Sequence, residues 1–179
     1  IAIGYHPSNL YVRTDDQGGG LQMMSHIFDL GHRHVGIISV SETLNYSINY
    51  RLLGMRAAAE AHGVDYDALP RYEGDFSVAS GAEAAAVLYE QHPDLTALVC
   101  LNDRMAMGAI QQLHTLGKRV PEDVSVIGYD DIPAASSFSP PLTTISNQAP
   151  TLGETATRLL FDLLDGKPTE SKVIETQLV

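Results

Sequence analysis

The stretch ALVCLNDRMAMGAIQQLHTLGKRVPEDVSVIGYDD, Ala97 to Asp131, decides the fold. Ala97 to Leu101 is an apolar run too short for a helix and reads as a buried strand. Asp103 to Leu116 spaces its apolar residues as a helix does and stops at Gly117, the residue type that most readily ends helices. Val124 to Tyr129 is a second apolar run, closed by two adjacent carboxylates, Asp130 and Asp131. Strand, helix, strand is the repeating unit of a parallel sheet, because parallel neighbours need a long crossover.

The alternation continues outward. Upstream, Val35 to Val40 reads as a buried strand, Tyr50 to His62 as a helix stopping at Gly63, and Arg71 to Glu73 as a weak strand. Val78 to Gln91 is an Ala- and Glu-rich helix that ends before Pro93. The triple glycine Gly18 to Gly20 opens the helix leading to "DLGH". Downstream, Thr143 to Ser146 reads as a short strand, Thr151 to Asp165 as an amphipathic helix stopping at Gly166, and Lys172 to Val179 as strand-like. The pattern predicts an α/β, doubly wound domain with a parallel sheet covered on both faces.

Composition bounds the function. With 44% hydrophobic residues in 179, the chain can bury a sizeable core. Its net charge of −11, from 22 acids against 11 bases, opposes direct binding to nucleic acid. The closest basic clustering, Lys118 and Arg119, follows a helix end and reads as solvated. No apolar run approaches the roughly 20 residues needed to span a bilayer. Residue 1 already lies in a strand-like "IAIGY", so no signal peptide is visible and the chain reads as part of something longer. The single cysteine, Cys100, sits in the apolar "ALVCL" and reads as an inert buried thiol, compatible with a reducing, cytoplasmic setting.

In a sheet of this kind, function gathers outside the carboxyl ends of the strands. Successive strand ends deliver Asn45, Ser47 and Arg51, then Phe76, then Asn102 and Asp103, then Asp130 and Asp131. Each has a plainer role open to it. Asn102 can cap its helix, Asp103 can complement the helix dipole, Asp131 can shape a turn, and Phe76 can be core. Asp130 directly follows an apolar strand and is harder to dismiss, since a partly buried carboxylate needs a partner. Catalysis by Asp130 and Asp131 as paired carboxylates is disfavoured because adjacent residues rarely oppose each other as acid and nucleophile. His32 and His34 in "GHRH" are a weak metal signal, better read as surface or capping groups, and no metal or cofactor is expected. "QGGGLQ" matches neither nucleotide fingerprint.

The strings "DQGGG", "DLGHRHVGIIS", "YRLLGMRAA", "GDFSVASG", "LNDRMAMGAI", "VPEDVSVIGYDD", "SPPLTTI" and "LGETATRLL", in this order, resemble the LacI family of bacterial transcription regulators. The resemblance implies the periplasmic-binding-protein-like fold, two α/β lobes joined by three crossovers with a small effector in the cleft. By it, residues 1–11 are the last strand of the N-terminal lobe, 12–147 the C-terminal lobe, 148–170 a return to the first lobe and 171–179 a return to the second. It implies effector contacts at Arg51, Phe76, Asn102 and Asp130, with Asn45 and Ser47 at variable contact positions. Asn147 stands where many members have Gln, which puts that contact in doubt.

The same resemblance places Met107 and Phe138 at a homodimer interface, although Met107 can equally be core. It implies that operator DNA is reached through a headpiece outside this chain, and that the protein is a regulator, not an enzyme. Asp130 accepting from adjacent hydroxyls, Arg51 donating and Phe76 covering a C–H face suit a neutral sugar or polyol. A phosphorylated ligand would be repelled by Asp130. The rival is a periplasmic sugar-binding protein feeding a transporter, a fold relative that the "SPPLTTI" and "LGETATRLL" strings favour less.

Overall fold

Local signals start and stop most of the predicted elements. The structure, a computed structural model, describes residues 1–7, 9–41 and 46–179. In chain order it runs β1 (Ala2–Ile3), β2 (Tyr11–Thr14), α1 (Asp16–Asp29), β3 (Val35–Val40), α2 (Tyr46–Ala61), β4 (Arg71–Gly74) and α3 (Val78–Gln91). There follow β5 (Ala97–Cys100), α4 (Asp103–Thr115), β6 (Ser125–Asp130), β7 (Thr143–Ser146), α5 (Ala149–Leu164), β8 (Lys172–Ile174) and β9 (Gln177–Leu178). Asp15, Ser77 and Asn102 each cap a helix, accepting from the backbone N–H of Gly18, Ser80 and Met105. Past the ends of α2 and α4, Gly63 and Gly117 take positive φ, the left-handed turn that releases the chain from a helix.

The main sheet has six strands in the order β4-β3-β5-β6-β7-β9. All its pairings are parallel except β9 on β7. From β3 the chain moves to β4 on one side and then to β5 on the other, so the order reverses around β3. A right-handed crossover must change faces when the winding direction changes. Accordingly α1 packs on α2 and α3 on α4. The strands between them are buried on both faces, which is why they read as unbroken apolar runs. A second sheet, β1-β2-β8, is parallel, and Val12 and Ile174 meet Leu152, Ala156 and Leu159 of α5 there.

Sheet pairing moves the expected crossing points. Val12 to Thr14 belong to the small sheet and the chain leaves it at Asp15, after and not before residue 12. Lys172–Ile174 also pair there, so the single strand-like run to Val179 is two short strands in different sheets. Between them Thr176 donates its hydroxyl to the Asp15 carbonyl, fastening one crossing to another. The run is extended on both sides of that point, so nothing in its residues marked the change of sheet. Helix α2 begins at Tyr46, earlier than the expected Tyr50, because Ile48 alone is buried in its first turn and the apolar period is faint.

The triple glycine lies inside α1. A Cβ on Gly20 would run into the Arg51 carbonyl of α2, and a Cβ on Gly54 into the Gln17 carbonyl of α1. The two backbones approach as closely as only glycine permits. Alanine at Gly54 would gain about 1 kcal/mol of helix propensity but force the helices apart. Overpacking of this kind costs about 1–3 kcal/mol, so G54A is expected to be net destabilised in urea unfolding. A more stable G54A would show that the contact can relax.

Candidate functional site

Arg51 sits one and a half turns into α2 and is buried, 8% exposed. Its Nε donates to Asp16 Oδ1 at 3.0 Å, and one terminal nitrogen donates to the Leu101 carbonyl at 2.9 Å. The other lies 3.5 Å from Asp130 Oδ1. Beneath it the Tyr129 ring centroid is 3.6 Å from the guanidinium carbon, a desolvated cation–π contact. Burial pulls the Arg51 pKa down, but Tyr129, Asp16 and Asp130 outweigh it and the net direction is up, so the charge is held. With three of its five N–H groups engaged, Arg51 keeps at most two for a ligand.

Asp130 ends β6 with φ +112°, and Asp131 follows at +57°. Phe76 at +67° and Gln148 at +52° complete, among the described residues, a set of four non-glycine residues with left-handed backbones, all at strand ends or crossings. Desolvation raises the Asp130 pKa, opposed by Arg51 and by a hydrogen bond from Asn147. Asn147 Nδ2 donates to Asp130 Oδ1 at 3.2 Å, so the shorter amide does reach the carboxylate. Its Oδ1 is buried with no hydrogen-bond partner among the described residues. Such an acceptor is costly unless something else donates to it.

Asn102 caps its helix and also braces a neighbouring turn. Its Oδ1 accepts from Met105 N–H at 2.8 Å as a cap, while its Nδ2 donates to the Phe76 carbonyl at 3.1 Å. It thereby fixes the β4–α3 turn that carries the half-buried Phe76 ring. Asp103 does more than complement a helix dipole. Fully buried, it accepts from the Thr144 hydroxyl and from Ile132 N–H at 2.8 Å, tying α4 to β7 and to the loop after Asp130. Desolvation pushes its pKa up to about 6 despite those bonds.

The structure therefore brings Arg51, Asp130, Asn147, Asn102 and Phe76 to one rim, the crevice beside the reversal in strand order. Ser47 lies one turn before Arg51 on the same helix face. Asn45 falls outside the described residues. Asp131 is exposed beside its turn. Met107 is 7% exposed within the main core, and Phe138 is half-buried against that core. His32 bridges the Thr96 and Ser125 hydroxyls, and His34 pairs with Asp94 at 2.7 Å. Cys100 is fully buried, and desolvation raises its thiol pKa. Asp16 and Tyr129 escaped the sequence reading, which did not single out Asp16 and took Tyr129 only as the end of a strand.

Fold and rim together define a periplasmic binding protein-like ligand-binding domain, and the profile of that family matches residues 24–179. The regulator CelR of Thermobifida fusca is 36% identical over 171 residues, 94% of this chain and 50% of CelR. A CelR–cellobiose complex superposes with a TM-score of 0.86, at 36% identity, over 95% of this chain and 52% of CelR. A LacI-family regulator from Enterococcus faecium with bound ribose gives 0.90 at 30% identity, covering 98% and 65%. A dimeric Lac repressor gives 0.86 at 29%, covering 94% and 62%. The chain belongs to the LacI family of transcription regulators, in its periplasmic binding protein-like domain. It spans about half the length of the curated relatives it matches. Among the described residues no helix is long and apolar enough to cross a membrane, and no cluster of three potential metal ligands occurs.

Asp103 sets a pH response. Its folded pKa of about 6 lies above the ordinary carboxylate value, so the folded chain holds this proton more tightly than the unfolded one. Its contribution is full below about pH 4 and is lost as pH rises through about 6. D103N, which can still accept from Ile132 and donate to Thr144, is expected to flatten that part of the stability profile. D103A leaves both partners unpaired and should lose about 2 kcal/mol in denaturant unfolding. A profile unchanged by D103N would show that Asp103 does not titrate there.

Proposed function

We propose that this chain is the effector-sensing part of a cytoplasmic, bacterial LacI-type repressor, and that its cleft binds a small neutral sugar. The observation that carries this reading is the state of Asp130. Half-buried at a strand end, its Oδ1 is taken up by Arg51 and Asn147, which leaves Oδ2 to accept from a ligand hydroxyl. The Phe76 ring covers the sugar ring's C–H face. An anionic ligand would meet Asp130 and Asp16, with Arg51 already neutralised by them. The cellobiose and ribose named with two structural relatives are neutral sugars of the kind these groups suit.

Operator DNA belongs to a headpiece and not to this surface, whose charge is −11. Control then works by linkage: the sugar shifts the balance between lobe arrangements only as far as it binds one better than the other. In the intact polypeptide, D130A is expected to weaken sugar affinity by at least about 2 kcal/mol, through loss of a desolvated charge-assisted contact. Calorimetry that finds affinity unchanged would remove Asp130 from the site.

Dimerisation through the C-terminal lobe is part of the proposal, supported by the half-buried Phe138 and by the dimeric Lac repressor among the structural relatives. Met107, satisfied inside its own chain, contributes at most its edge. F138D should shift sedimentation toward monomer with the circular dichroism spectrum intact, because a charge at an apolar interface is costly. An unfolded variant would make Phe138 core, and an unshifted dimer would place it elsewhere.

A further inference from the structure

Arg51 is met by two carboxylates where one would balance it. Asp16 and Asp130 both stand against its guanidinium, but they differ in access. The Asp130 side chain is 29% exposed, whereas that of Asp16 is 3% exposed, shut in against Arg51 and Thr14. A ligand held at Asp130 therefore meets Asp16 only through its charge. Arg13, three residues before Asp16, lies over the Tyr50 ring at 5.3 Å and makes no ion pair with either acid.

The bonds that Asp16 makes do not require that charge. Its Oδ1 accepts from Arg51 Nε at 3.0 Å, and its Oδ2 accepts from the Thr14 hydroxyl at 3.2 Å. An asparagine of the same shape would accept from Nε with its oxygen and donate to the hydroxyl with its nitrogen. Arg51 does not need a second carboxylate either, since the Leu101 carbonyl, the Tyr129 ring and Asp130 already engage it. Burying a carboxylate is costly, so a charge that neither bond nor partner demands acts as a field on what enters the site. With Asp16 the three groups sum to a net negative charge, and with an amide in its place they would be neutral. Asp131, exposed beside Asp130, adds the same sign.

We infer that Asp16 is a specificity-determining residue: without touching the effector, it turns Arg51 from a hook for anions into a donor for neutral hydroxyls, and so excludes acidic and phosphorylated sugars. Selectivity of this kind comes from a repulsive element as much as from the attractive contacts. At roughly 7 Å and an effective dielectric constant of about 20, one unit charge changes the affinity for another by about tenfold or more. The inference rests on the reading of Arg51 and Asp130 as effector contacts.

Titration calorimetry of the intact polypeptide with sugars paired by charge tests it: glucose with glucuronate, galactose with galacturonate, ribose with ribose 5-phosphate and cellobiose with cellobiuronate. In the wild type the neutral member of at least one pair should bind, and its acid about tenfold or more weaker. D16N should close that gap by about tenfold while moving the neutral sugar by less than about threefold. D130N, which alters the contact itself, should weaken the neutral sugar as well. If D16N loses its circular dichroism spectrum, D16S, which leaves room for a water against Arg51 Nε, carries the same comparison. A merely structural Asp16 would lower both members together and keep their ratio, a result that overturns the inference and leaves Asp130 as the sugar contact. Acids that bind the wild type as tightly as their neutral partners overturn it too. Binding of none of the neutral sugars overturns the neutral-sugar reading and the inference with it.

Discussion

The Arg51 guanidinium is the joint on which the described structure turns. It connects α2 to α1 through Asp16, to the residue that follows β5 through the Leu101 carbonyl and to β6 through Asp130, while resting on the Tyr129 ring. A buried cation is tolerable only with such a full set of partners, since breaking a buried pair costs about 3–5 kcal/mol. The glycine-tight approach of α1 and α2 follows from the same demand. Gly20 sits against the Arg51 carbonyl and Gly19 above the Tyr129 hydroxyl, so the packing that brings Asp16 within reach also fixes the arginine's backbone. Site and core are one construction here.

Much of this was legible before any coordinates. The buried strands and the helices α3 and α4 announce themselves because parallel strands covered on both faces become apolar runs, and because Asn102, Gly117 and Pro93 punctuate them. The residues gathered at the rim were legible for a topological reason: strand ends in a doubly wound sheet point to a common edge. What stayed hidden depends on pairings between distant parts of the chain. Thr144 and Asp103 are 41 positions apart, and nothing local in either predicts the bond. Asp16 and Arg51 are 35 apart, and Asp16 in isolation reads as a helix-start acid. The change of sheet between Ile174 and Gln177 is similarly invisible, because an extended backbone looks the same whichever neighbour it pairs with.

Two residues show how one side chain can serve more than one element of the fold. Asn102 caps α4 with its oxygen and braces the Phe76 turn with its nitrogen, so its amide serves two elements at once. Asp103, beside it, carries an architectural duty that its position in a helix first turn concealed. The adjacent pair thus divides the work, one residue shaping the rim's surface and the other anchoring the loop beneath it.

The left-handed backbones at Phe76, Asp130, Asp131 and Gln148 limit how this rim can diversify. β-Branched side chains fit that conformation badly, and glycine, asparagine and aspartate fit it best. Change at these sites is therefore filtered by backbone shape before chemistry is considered. Valine, isoleucine and threonine are disfavoured at these positions whatever their size. Substitution is freer on the relaxed first helical turn at Ser47, which leaves the strained corners as a fixed frame.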